Sequence, residues 1–172
     1  PEIFAQLEEN ITGFTNQLAL QCLVTDQDEK EYPFHIANND GASSSILDLK
    51  LHRDIWPEID YVESIVLKSK TLPTLLRERE MDYRRYDALI MDTQGSELLI
   101  LQGASSLLHN FRYIKTEVPD FEAYSGCCTL VDITTFLEIR GFRELSRNKF
   151  AEREDGGSYY DVVFEKLSTR HA

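Results

Sequence analysis

Basic residues are scarce in this chain. Eighteen Lys and Arg stand against thirty Asp and Glu, a formal charge of −12, and no window gathers the cations into a stripe. Neutralising a run of phosphates takes such a stripe, so neither a nucleic acid nor an anionic membrane surface is an expected partner. Long apolar runs are lacking too: the longest are four-residue stretches such as Leu98-Leu99-Ile100-Leu101, whereas a membrane helix needs about 20. Cysteine is sparse. Cys22, Cys127 and Cys128 are odd in number and show no repeated two-residue spacing, which supports neither a disulfide framework nor a zinc site. Reduced thiols and a cytoplasmic location are the expectation. A leader-like segment is missing as well: Pro1 is followed at once by a helical pattern, Ile3, Leu7 and Ile11 at four-residue spacing, as at a cut within a larger protein.

The 172 residues are 42% hydrophobic, enough for one domain, residues 1–172, with a single core. After the opening helix, Leu18 to Thr25 reads as a strand that ends in the polar turn Asp26-Gln27-Asp28-Glu29-Lys30, with Tyr32 to Ile36 pairing back on it. Asn38 to Ser45 is a loop by composition. Ser64 to Lys70 reads as a strand, and Thr71-Leu72-Pro73 opens a helix whose core face is Leu72, Leu75 and Leu76. Asp87 to Asp92, with Ala88-Leu89-Ile90-Met91 continuously apolar, reads as a strand buried on both faces, the habit of a central parallel strand. Tyr113 to Val118 repeats the arrangement, and a helix bearing Leu130, Ile133, Phe136 and Leu137 follows, capped at Gly141. Phe142 to Arg147 and Tyr159 to Glu165 then form an antiparallel hairpin around Gly156-Gly157. Strands alternating with helices predict an α/β, Rossmann-like doubly wound, mostly parallel sheet closed by that hairpin.

In such sheets ligands bind beyond the carboxyl ends of the strands, which singles out Asp26, the segment Asp92-Thr93-Gln94-Gly95-Ser96-Glu97, and Glu117. Gly95 permits a tight turn, while Ser96 and Glu97 suit a helix N-terminus and can be explained by capping. Asp92, ending an apolar central strand, is expected to be partly desolvated. Glu117 ends the next strand and faces the same crevice if the strands are neighbours; two carboxylates there can orient a hydroxyl, accept a proton or bind a cation. Alternatively Glu117 pairs with Lys115 or a nearby arginine and only terminates its strand.

Pro1-Glu2-Ile3-Phe4 with Leu7 and Asn10, then Asp92 to Glu97, Leu101-Gln102-Gly103-Ala104, Ile114-Lys115-Thr116-Glu117 and the Gly141-Phe142 step together resemble the FkbM-type, class I methyltransferases over nearly the whole chain. The resemblance implies methyl transfer from S-adenosylmethionine to a hydroxyl oxygen of a sugar or secondary metabolite, that is, a small-molecule or glycan acceptor. It implies catalytic roles for Asp92 and Glu117 and cofactor contacts at Asp26, Asp92 and Gln94; no residue is assigned as a metal ligand, and the metal requirement stays open. There are two departures. Gln94 stands where the family more often has Glu. The family's first strand and its glycine-rich cofactor loop would lie before Pro1, so the chain is expected to be the C-terminal part of the full domain, to bind cofactor weakly alone, and to show an exposed edge that favours homo-oligomers or aggregation.

Other residues offer less. His109 and His171 are expected at the surface, and His35 and His52 in solvated or capping roles. Trp56, inside Asp54 to Tyr61, suits a lid or a loop packed on the core. Cys127 and Cys128 suit an ordinary helix-entry loop. A catalytically inactive binding module of the same fold is the competing reading, and a dinucleotide-dependent oxidoreductase is disfavoured by the hairpin and the Asp92 turn.

Overall fold

The computed structural model describes residues 2–167, with Pro1 and His171 outside them. The helix α1 (Glu2–Ile11) forms as its periodicity predicts, but Ile3 and Leu7 stay exposed. The strand expected over Leu18 to Thr25 shrinks to β1 (Leu23–Val24). Nor does β2 (Glu31–Ala37) pair back on it: β3 (Tyr61–Lys70) enters between them, antiparallel to β2 and parallel to β1. The reason lies in the polar turn, which β3 captures. The buried Ser69 hydroxyl donates to the carbonyls of Gln27 and Lys30 at 2.7 and 3.2 Å, and the Glu29 amide donates to the Ser69 carbonyl at 2.8 Å.

α2 (Leu72–Glu78) begins as expected, with the Thr71 hydroxyl accepting from the Thr74 amide and Pro in the first turn. Beyond it lie β4 (Ala88–Met91), α3 (Glu97–Gly103), β5 (Tyr113–Pro119), α4 (Leu130–Glu138), β6 (Phe142–Glu152) and β7 (Ser158–Lys166). Thr129 and Asp132 close a capping box on α4, and Gly141 takes a φ of 82° after it. The hairpin is longer than expected and carries two register shifts. β7 lies between β5 and β6, so the second sheet runs β4-β5-β7-β6.

The mostly parallel doubly wound sheet gives way to a mixed α/β arrangement of two sheets, β1-β3-β2 and β4-β5-β7-β6. Only β1–β3 and β4–β5 are parallel. A parallel neighbour needs a long crossover connection, usually a helix; α3 supplies it between β4 and β5, whereas in sequence β2 and the loop after it lie between β1 and β3. β4 also departs from its prediction. Among the described residues it pairs with β5 alone, so it is an edge strand, with Met91 buried and Ile90 71% exposed.

The main core lies where α3 and α4 meet the second sheet, with Leu101, Ile114, Val118, Ile133, Leu137, Val162 and Phe164 sealed from solvent. Each such side chain contributes roughly 1.5–3 kcal/mol by burial. A smaller cluster around Phe121, Tyr124, Cys127 and Tyr159 gathers Leu47, Ile55 and Trp56 beneath the loops. Trp56 is thus packed on the core. At the end of α3, a Cβ on Gly103 would fall 2.2 Å from the Thr25 carbonyl oxygen and 2.9 Å from the Asp26 Cα, so the close approach of α3 to the end of β1 requires glycine. Among the described residues no helix is long and apolar enough to cross a membrane.

Candidate functional site

β4 and β5 run parallel with Met91 opposite Thr116, and this register sets Asp92 and Glu117 side by side at the carboxyl ends of the two strands. The neighbour relation expected from the sequence is present. Asp92, expected to be partly desolvated, is exposed because β4 is an edge, while Glu117 is half-buried. Desolvation, then the charges of Asp92, Asp161 and Glu97, push the Glu117 carboxyl up to about 7. Among the described residues neither Asp92 nor Glu117 has a cationic partner within ion-pair distance; Lys115 is held by Asp161 at 2.8 Å instead.

The turn after β4 is built tightly. Gln94 and Gly95 both take left-handed backbone, φ 53° and 101°, a cost for glutamine that surrounding contacts must offset. Ser45 Oγ donates to the Gln94 carbonyl at 2.7 Å and accepts from the Leu47 amide at 3.0 Å. Tyr61 Oη donates to the Leu47 carbonyl at 2.6 Å, tying the serine loop to β3. A Cβ at Gly95 would meet Cys127, Leu47 and Tyr124 at 3.0, 3.2 and 3.3 Å, so the loops close directly over the glycine.

Glu97, which capping could explain from sequence, is 1% exposed. Its Oε1 accepts from the Thr93 amide at 2.8 Å and the Thr93 hydroxyl at 2.9 Å, and its Oε2 from the Gly95 amide at 3.1 Å. The carboxylate therefore fills a nest of backbone donors inside the turn. Burial raises its pKa, with those hydrogen bonds opposing. The Cys128 thiol lies 3.8 Å from Oε2 and is itself pushed up to about 12 by desolvation, while burial also raises Cys127. Protonated and buried, both thiols belong to an ordinary packed loop.

His52, expected in a solvated or capping role, is 3% exposed. Its Nδ1 shares a 2.8 Å hydrogen bond with Tyr159 Oη, and its ring lies 4.6 Å from Trp56 and 5.1 Å from Tyr124. Desolvation drives its pKa down to about 4, so it is neutral packing at ordinary pH. His35 stacks on Tyr61 at 4.7 Å and sits 3.6 Å from Asp48. His109 is exposed as expected.

A cavity of about 460 Å³ opens between β1 and β4, walled by Leu23, Val24, Phe34, Leu72 and Ile90 and rimmed by Asp92, Thr93, Gln94 and Ser44. Asp92 and Gln94 thus share the cavity mouth. Asp26 is set apart from it: its carboxylate accepts from Gln27 Nε2 at 3.1 Å and Tyr32 Oη at 3.3 Å. Sequence reasoning missed Tyr124, whose hydroxyl donates to Gln94 Oε1 at 2.6 Å; it lies in an irregular segment where no periodicity marks it. Among the described residues no three His, Cys, Asp or Glu side chains converge as a metal ion requires.

Residues 1–144 match the family model described as Methyltransferase FkbM domain. No curated protein and no solved structure matches the chain.

Proposed function

The chain belongs to the FkbM methyltransferase domain family, and from that premise we propose that it carries the acceptor side of an S-adenosylmethionine-dependent methyl transfer to a hydroxyl oxygen of a sugar or other small molecule. The observation that carries this reading is the pairing of Asp92 and Glu117 across β4 and β5, with Glu117 raised to about 7. A carboxyl poised there accepts a proton near neutral pH, which is what a hydroxyl needs as it becomes a nucleophile.

S-adenosylmethionine, when bound, supplies an electrophilic methyl group on a cationic sulfur. The residues at hand suit that ligand in part: the cavity has the volume of a small-molecule site and apolar walls at Leu23, Phe34 and Leu72 for a flat heterocycle. Asp92 at its mouth offers an uncompensated carboxylate to a cation and to an acceptor hydroxyl. Glu117 takes the acceptor proton, and Asp92 holds the oxygen in line, so positioning contributes most and proton transfer the remainder. Ser44 supplies a hydroxyl beside the mouth. A glycine-rich unit preceding residue 1 is proposed to complete the cofactor site and to cover β4. The partner is thus a small-molecule or glycan acceptor, and uncovered β4 edges favour self-association.

The competing reading is a module that binds an acceptor without turnover; the Gln94 amide hydrogen-bonded to Asp92 favours it, because a neutral group there replaces a possible base. Calorimetric titration of S-adenosylmethionine into this chain, and into a form extended N-terminally through the proposed glycine loop, separates the two. Micromolar binding by the extended form supports methyl transfer, and no binding by either form sinks it in favour of the module.

A further inference from the structure

Gln94 ends in a side-chain amide whose two faces are chemically opposite. One end lies 2.5 Å from Asp92 Oδ1. A carboxylate only accepts, so that end is the NH2 group. The other end, Oε1, is then an acceptor, and it lies 2.6 Å from Tyr124 Oη, which must donate. Tyr124 is 1% exposed and cannot turn away: its ring packs against His52 at 5.1 Å and against Gly95, and the Cys127 amide donates to its carbonyl at 3.1 Å.

We propose that Tyr124 is a positioning residue for the reaction at the ends of β4 and β5: its hydroxyl fixes the Gln94 amide so that the NH2 group faces the paired carboxylates of Asp92 and Glu117. The proposal rests on the reading of that pair as the reaction site, and gives glutamine at 94 a purpose. A carboxylate at 94 would add a third negative charge to the pair; an amide held carbonyl-first by a buried tyrosine adds a donor instead. The Gln94 amide, bonded to Asp92 and Tyr124, also opposes the rise of the Glu117 pKa, the smallest of the influences on it. The other groups acting on or facing Glu117 are Asp92 beyond β4, Glu97 on α3, Asp161 and Tyr159 on β7, and Lys115 on β5, which is bound to Asp161.

The test is carboxyl-carbon NMR titration of Glu117 in the 172-residue chain, assigned by Glu117→Gln. Tyr124→Phe keeps the ring and removes the donor, so the amide is free to turn its carbonyl toward the carboxylates. The Glu117 midpoint then rises by roughly 0.5–1 pH unit. Gln94→Met removes the amide and raises it as much, and the double variant rises no further, because Tyr124 acts only through Gln94. An unchanged midpoint in Tyr124→Phe, or additive shifts in the double variant, overturns the proposal. Should Tyr124→Phe not fold, an unchanged midpoint in Gln94→Met overturns it alone. The titration needs no turnover, so an inactive but correctly titrating chain defeats the proposed function and leaves the positioning relation standing.

Discussion

Asp92 and Glu117 are each one residue past a paired position, since Met91 faces Thr116 in the parallel ladder. Their proximity is therefore a property of backbone register, and any shift of β4 along β5 separates them. Two carboxylates so placed do not share their proton equally. Asp92 sits exposed just past an edge strand, while Glu117 beside it is half-buried.

Glu117 should make the domain less stable in alkali. Its folded pKa, about 7, lies above the unfolded value of 4.5, so the folded state holds the proton more tightly, and stability falls as pH rises between those values. Glu117→Gln escapes this. At pH 8 it should be more stable than the parent by roughly 1–2 kcal/mol after discounting for solvent screening, and near pH 4 the two should match. Urea denaturation at both pH values checks this, and a Glu117→Gln variant that is weaker at pH 8 refutes it.

In the N-terminally extended enzyme, methyl transfer should rise with pH through a midpoint near 7, set by Glu117. Glu117→Gln should remove that limb and lower kcat by about 10²–10⁴, with a smaller effect on KM. A retained pH limb in the variant would assign the base elsewhere.

Glu97→Ala should cost roughly 2–4 kcal/mol, because the buried amide of Gly95 and the half-buried amide of Thr93 lose their acceptor. Glu97→Gln should recover part of this, since its carbonyl end still accepts. Equilibrium denaturation measures both; a loss below about 0.5 kcal/mol in the alanine variant would mean that water replaces the carboxylate.

Gly103→Ala tests the contact between α3 and the end of β1. Alanine gains about 1 kcal/mol of helix propensity, but its Cβ would sit 2.2 Å from the Thr25 carbonyl. Sterics should win, with a net loss of roughly 2 kcal/mol or more. A stabilised variant would show that β1 is free to move off α3.

Ile90→Lys should reduce self-association. An exposed apolar side chain on an unpaired edge invites another strand, and a lysine there repels it. Sedimentation velocity of the parent and the variant decides it: equal, concentration-independent monomers in both would show that the β4 edge is silent in this chain.

Much of the second half was legible in sequence. Apolar periodicity, Gly141 and the closing hairpin located α4, β6 and β7, and the motif order located the family. The first half was less so. Which strand pairs with β2 depends on Ser69 capturing the turn carbonyls, a contact 42 residues apart in sequence. The run Ala88 to Met91 suggested a covered strand, yet composition cannot report whether a neighbour is present. Asp92 lacks its expected burial and Glu97 is sealed for the same reason: desolvation is a tertiary quantity, and two carboxylates five residues apart look alike in a string. Tyr124 and His52 carry no local signal, because irregular segments have no period against which a side chain can be read.

The strand order β4-β5-β7-β6 has a consequence for synthesis. Of the described strands β7 is the last to be synthesised, yet it is the one that lies between β5 and β6. Until residue 166 emerges, β5 has only β4 beside it and β6 has no partner at all. The β2–β3 hairpin, complete by residue 70, can form early, while the sheet that bears Glu117 closes in one late event. Nascent chains halted before β7 should therefore depend on chaperones in a way that the finished chain does not.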